Sequence, residues 1–179
     1  MKKYVSVFVI ICLCFSLCLL TSGCGTISTE KASAYVDGDI SASEGEAGTC
    51  TISIDCKTIL DNMEKLDKTK TALVPEDGVI YPETVVKYDK GDSVLDILKK
   101  VTMDNKIHME YSDSPTYGGG YVEGIANIYE FDCGSASGWE FSVNGWFPNY
   151  SGENYEVGDG DVICWRYSCE NGKDIHGNQ

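Results

Sequence analysis

Histidine is nearly missing from this chain: His108 and His176 are the two in 179 residues. No His-Glu-x-x-His helix, no Gly-x-Ser-x-Gly turn and no phosphate-cradling loop ending in Lys occurs. Cys-x-x-Cys is absent as well, which argues against a thiolate zinc site. Basic residues are scarce: 14 Lys and Arg face 28 Asp and Glu, a net charge of −14. That surface repels nucleic acid, and no basic patch offsets the repulsion. Nothing among the many acids singles out a glycosidase pair. These absences argue against an enzyme and against a nucleic-acid partner. His108, placed after a helical stretch, reads as structural or solvent-exposed rather than as a metal ligand. His176 lies in a polar tail and carries no signal. Asp159-Gly160-Asp161 lacks the further acids of a calcium loop and reads as a turn. No metal site and no required cofactor is expected.

What is there begins with an apolar run from Tyr4 to Leu20 behind Lys2 and Lys3. Its basic start and small-residue ending fit an export signal better than a membrane span. The run ends in Leu20-Thr21-Ser22-Gly23-Cys24, which resembles the lipobox of bacterial lipoproteins. The resemblance implies a signal peptide over 1–23, lipidation of Cys24, and a protein held to the cell membrane on its extracytoplasmic side. Residues 24–49 are mostly small, polar or acidic and cannot bury enough apolar surface to offset their ordering entropy. They read as a tether with a reach of roughly 25–30 Å.

The folded part is expected over 50–169, with a polar tail at 170–179. Cys50, Ile52, Ile54 and Cys56 alternate with polar residues, the period of a half-buried strand. Thr58 to Leu66 carries apolar residues at helical spacing, and Thr84 to Tyr88 reads as a second strand. Ser93 followed by Asp96 has capping-box form. Val94, Ile97, Leu98 and Val101 then repeat at i, i+3, i+4 and i+7, predicting an amphipathic helix that ends near Asn105. Short strands are expected at 109–112, 121–125 and 128–132, with an exposed loop over 114–120. The last strand runs from Val162 to Cys169, with Ile163, Trp165, Tyr167 and Cys169 on one face. The order predicts an α+β fold: a β-grasp-like mixed sheet packed on one main helix.

The densest aromatic stretch runs from Gly138 to Tyr150. Trp139, Phe141 and Val143 alternate with Glu140 and Ser142. Asn144-Gly145 then suits a type I′ turn, so a hairpin is expected. Its return arm carries Trp146 and Phe147. Packing alone accounts for such a hairpin; a ligand surface is the sharper reading.

Five cysteines lie in the expected domain. An exported chain favours disulfides, and strand parity sets Cys164 apart on the face of Arg166. Cys50, Cys56, Cys133 and Cys169 are therefore expected to form two bridges, with Cys164 free. Cys50 and Cys56 stand about 20 Å apart along their strand and cannot bond each other. Cys50 with Cys133 and Cys56 with Cys169 is the favoured pairing, and the exchange of partners is the alternative.

Four stretches together resemble one family: Gly91 to Leu98, Tyr121 to Ile125, Gly138 to Gly145 and Tyr155 to Ile163. Together they look like the transcobalamin-like C-terminal domain family, across roughly Cys50 to Cys169. The resemblance implies a β-grasp-like domain that closes over a corrin ring held by a separate helical barrel. No such barrel is expected in this chain. The implied role is a non-catalytic surface module that captures cobalamin or a related corrinoid for a membrane uptake system. The ligand surface would be Tyr117, Tyr121, Trp139, Phe141, Asn144, Gly145, Trp146 and Phe147. The alternative is an interaction or adhesion module whose aromatic hairpin binds a protein or a glycan.

Overall fold

A computed structural model describes residues 46–177. Cys24, the expected signal peptide and most of the expected tether lie outside the described residues.

The first strand, β1 (Glu46–Asp55), starts four residues before the expected boundary, so 46–49 belong to the fold and not to a tether. Cys50, Ile52 and Ile54 are buried, as their alternation predicts. The helix expected over 58–66 shrinks to a single turn, α1 (Lys57–Leu60). Cys56 stands at its N-cap and offers no side-chain hydrogen bond to the orphan amides there. Beyond Leu60 the chain continues in tighter turns, Asn62 N bonding Ile59 O and Lys65 N bonding Asn62 O. A 3₁₀ helix over Lys68–Leu73 follows, capped by Asp67, whose side chain accepts from Thr69 N. Strand β2 (Val79–Asp89) is about twice the expected length.

Helix α2 (Val94–Asp104) forms as its pattern predicts. Ser93 Oγ accepts from Asp96 N at 3.2 Å, and Asp96 Oδ2 accepts from Ser93 N at 3.0 Å. Such a cap contributes about 1 kcal/mol. Val94, Leu95, Ile97, Leu98 and Val101 are buried in the common core. Asn105 is the C-cap.

Strands β3 (Met109–Ser114) and β4 (Gly119–Ile125) form an antiparallel hairpin, so most of the expected 114–120 loop is strand and tight turn. Strand β5 is two residues, Ile128–Tyr129. The longer strand expected there is broken because Phe131 takes a positive φ of 68° and the Asp132 carboxylate accepts from Tyr129 N. Strand β6 (Gly138–Val143) and strand β7 (Val162–Ser168) complete the chain of elements.

The strands fall into two sheets, not one: β2-β1-β7-β6 and β3-β4-β5. β1 and β7 run parallel at the centre of the first, with Ile52 level with Ile163 and Ile54 with Trp165. That central parallel pair is the pairing expected from the strand order. The tail beyond β7 is not loose up to residue 177. Asp174 accepts from Cys169 N at 2.8 Å and from Ser168 Oγ at 2.5 Å, and Asn171 N bonds Ala136 O at 2.8 Å.

Cys50, Cys56, Cys133, Cys164 and Cys169 are all free thiols here, so disulfide stabilisation is not part of this structure. The register also separates the expected partners. Thr51 is level with Val162, so Cys50 lies at the start of β7. Cys133 N reaches Tyr167 OH, near the far end of the same strand. Those ends are roughly 15–20 Å apart, which leaves Cys50 beyond bonding distance of both Cys133 and Cys169.

Candidate functional site

A cavity of about 590 Å³ opens beside β6. One wall is the hairpin and the strand behind it: Trp139, Phe141, Phe147 and Trp165. Trp139 and Phe141 are 5% and 6% exposed, so they serve the core and the cavity at once. The rings interlock: Trp139 meets Tyr167 edge-on at 5.3 Å, and Phe141 lies 5.3 Å from Trp165. Trp139 Nε1 donates to Ile128 O at 2.9 Å. Trp165 Nε1 is buried and has no hydrogen-bond partner among the described residues. A donor left over beside a cavity can be met by an acceptor on a ligand.

β6 is the outer strand of its sheet. Asn144 N donates to Val162 O at 2.9 Å. By the alternation of an antiparallel ladder, Ser142, Glu140 and Gly138 also turn their backbone groups toward β7. The N–H and C=O groups of Trp139 and Phe141 therefore lie on the open side of the strand.

The opposite wall is built by hydrogen bonds. Tyr117 and Tyr121 stack at 5.3 Å with an interplanar angle of 13°. Tyr121 OH donates to Glu130 Oε2 at 2.7 Å. Burial first, and then the Glu130 carboxylate, push the Tyr121 phenol well above its ordinary value. Gly120 is gripped on both sides, its N–H donating to Glu153 Oε2 at 2.7 Å and its C=O accepting from Ser151 Oγ at 2.6 Å. A Cβ at Gly120 would lie 2.5 Å from Leu95 Cδ2, so any larger residue would have to displace the buried Leu95 side chain.

The structure thus brings together Tyr117, Tyr121, Trp139, Phe141 and Phe147. It places Asn144, Gly145 and Trp146 outside the cavity. Asn144 and Gly145 take positive φ angles of 53° and 80°, as a type I′ turn requires. The Asn144 side chain is occupied with Asp161 Oδ1 at 2.7 Å and Val162 N at 3.0 Å. Trp146 is 51% exposed at the tip and touches Tyr150 edge-on at 6.1 Å.

Three contributors escaped the sequence reading. His176, from the tail, lines the cavity. Its ring lies 4.2 Å from Phe147, and its Nε2 is 2.7 Å from Glu140 Oε2. No spacing signal marks a lone His in a polar tail, so only the folded chain reveals it. Trp165 was legible as a core position but not as a cavity wall. Glu130 was placed in a strand rather than beside a ligand surface. Among the described residues no cluster of three or more His, Cys, Asp or Glu suits a metal ion, and no helix is long and apolar enough to cross a membrane.

Comparison with known proteins follows the same outline. Residues 91–169 match the family described as domain of unknown function (DUF4430). That stretch runs from the cap of α2 to the end of β7 and carries nearly the whole cavity wall. No curated protein matches the chain. The structure of haptocorrin in complex with Cbi is similar, with a TM-score of 0.50 and 15% identity, covering 69% of this chain. This chain spans 25% of haptocorrin's own length. A Ruminococcus gnavus ATCC 29149 protein described as a candidate metal-binding protein has a TM-score of 0.40 and 14% identity, covering 68% of this chain and 96% of that one. The haptocorrin likeness supports a transcobalamin-like fold.

Proposed function

We propose that this domain is a non-catalytic binding module whose aromatic cavity receives one face of a cobalamin or related corrinoid. The observation that carries the reading is the concave cavity of about 590 Å³ beside the hairpin, where a flat exposed patch would have favoured docking to a protein. Flat rings suit the face of a macrocycle. The open-edge backbone groups of Trp139 and Phe141 suit its side amides, and Trp165 Nε1 adds a donor. The presence of Cbi in the haptocorrin structure supports the same ligand class. Cys24 would anchor the domain by lipid to the extracytoplasmic side of a cell membrane, where it would hand the ligand to an uptake system.

The test is a titration of the protein with cobalamin, read by Trp fluorescence and corrected for absorption by the ligand. Saturable quenching at micromolar concentration or below is expected, lost in Phe147→Ala and kept in Trp146→Ala. No saturation up to about millimolar, roughly −4 kcal/mol, would end the corrinoid reading. The second reading, contact with a protein or glycan through the hairpin tip, is favoured by the half-exposed Trp146 and would then lead.

A further inference from the structure

We propose that Cys133 and Cys169 form a disulfide that ties together two segments bounding the cavity. The two cysteines come from distant parts of the chain and reach one short stretch, α1 and the turn that follows it. Cys133 follows β5, and its Sγ lies 3.5 Å from Asn62 O. Cys169 follows β7, and its Sγ lies 3.6 Å from Thr58 Oγ1. Thr58 and Asn62 are four residues apart and joined by a bond from Asn62 Nδ2 to Thr58 O at 2.9 Å. The two Sγ atoms therefore meet the same short stretch of chain.

The flanking backbone is pinned on both sides. Thr58 Oγ1 donates to Tyr167 O at 2.5 Å, and Cys133 N donates to Tyr167 OH at 3.3 Å. Asn171 N bonds Ala136 O at 2.8 Å. Cys50 and Cys164 lie away from the position. Cys50 lies at the far end of β7. Cys56 N bonds Gly78 O on the side of the turn before β2. Cys164 lines a second, smaller cavity with Arg166 on the opposite face of β7.

Both thiols are buried, and burial pushes the Cys169 thiol up to about 12. The folded form is therefore a poor nucleophile, and the bond forms while the chain folds or opens locally. The oxidant is a small-molecule or protein disulfide, R–S–S–R. One cysteine thiolate attacks it and expels a first thiolate. The second cysteine attacks the mixed disulfide and expels the other. The protein loses two protons and two electrons, and the oxidant leaves as two R–SH.

The tie joins two parts of the wall. The segment after Cys133 supplies Ser135, Ala136 and Ser137 to the cavity, and the segment after Cys169 supplies Asn171 and His176. Nothing in this inference depends on the identity of the ligand.

The test refolds the reduced full chain in a glutathione redox buffer, blocks free thiols, and digests with trypsin and then a Glu-specific protease. Cleavage after Glu130, Glu140, Glu156, Arg166 and Glu170 puts Cys133 in 131–140, Cys169 in 167–170 and Cys164 in 157–166. The expected product is 131–140 joined to 167–170, two hydrogens lighter than the pair. Cys133 joined to any other cysteine, or both thiols fully blocked, would overturn the proposal. The oxidised protein should melt about 10 °C above the reduced one, a difference absent in Cys133→Ser and in Cys169→Ser. A crosslinked protein that melts no higher would show that the bond does not brace the fold.

Discussion

The two walls of the cavity are held by different physics. The β6–β7 wall stands because its rings are core residues: Trp139, Phe141 and Trp165 bury nearly all their surface and interlock at ring distances of 5.3 Å. The facing wall also has core residues, Val122 and Ile125 on β4, but its edge at Gly118 to Gly120 is fixed differently. It stands because Ser151, Glu153 and Asn154 hydrogen-bond to the backbone of Gly118 and Gly120. Apolar burial is non-directional and strong per residue, whereas hydrogen bonds place a backbone accurately but contribute modestly net of water. The first wall is therefore held mainly by burial, and the edge of the second by directed hydrogen bonds.

Substitutions on the two sides should separate these contributions. The largest effect is expected from Trp139→Ala, which removes a buried ring and its bond to Ile128 O. A loss of about 3–5 kcal/mol in a denaturant titration is expected, and a loss under 1 would mean the first wall is not core. Ser151→Ala leaves the buried Gly120 carbonyl without its hydroxyl partner. It should cost about 1–2 kcal/mol and weaken ligand binding more than its stability effect accounts for.

Tyr121 gives a pH handle on the same wall. Its phenol is raised in the fold, so the neutral form is favoured there. Its contribution is fully present below the ordinary tyrosine range and is lost as pH rises above about 10. Tyr121→Phe should flatten part of the alkaline fall in melting temperature; Tyr167, also raised by burial, supplies a further part. An unchanged alkaline slope would sink this assignment. The smallest effect is expected from Trp146→Ala at the exposed tip, within about 0.5 kcal/mol by the same titration.

Much of this division was legible before folding. The alternation of β1, β6 and β7, the capped helix α2 and the Asn144-Gly145 turn all follow from rules acting within a few residues. The parallel pairing of β1 with β7 followed from the strand order by analogy. What escaped were features set by distant partners. The 58–66 segment has helical spacing but lacks a cap, so it tightens after one turn. Phe131 reads as strand, yet its backbone turns over at positive φ. Trp146 and Phe147 are neighbours in sequence with equal aromatic weight, but one stands at the tip while the other faces His176.

By itself the sequence determined the apolar faces, the cap, the turn and the acidic surface, because each depends on local spacing or on composition. The tertiary structure alone decided that there are two sheets, that Cys133 and Cys169 both reach the 58–62 segment, and that a tail histidine lines a cavity bounded by the hairpin. Those outcomes depend on which distant surfaces meet, and a pattern of period two or 3.6 carries no information about its partner.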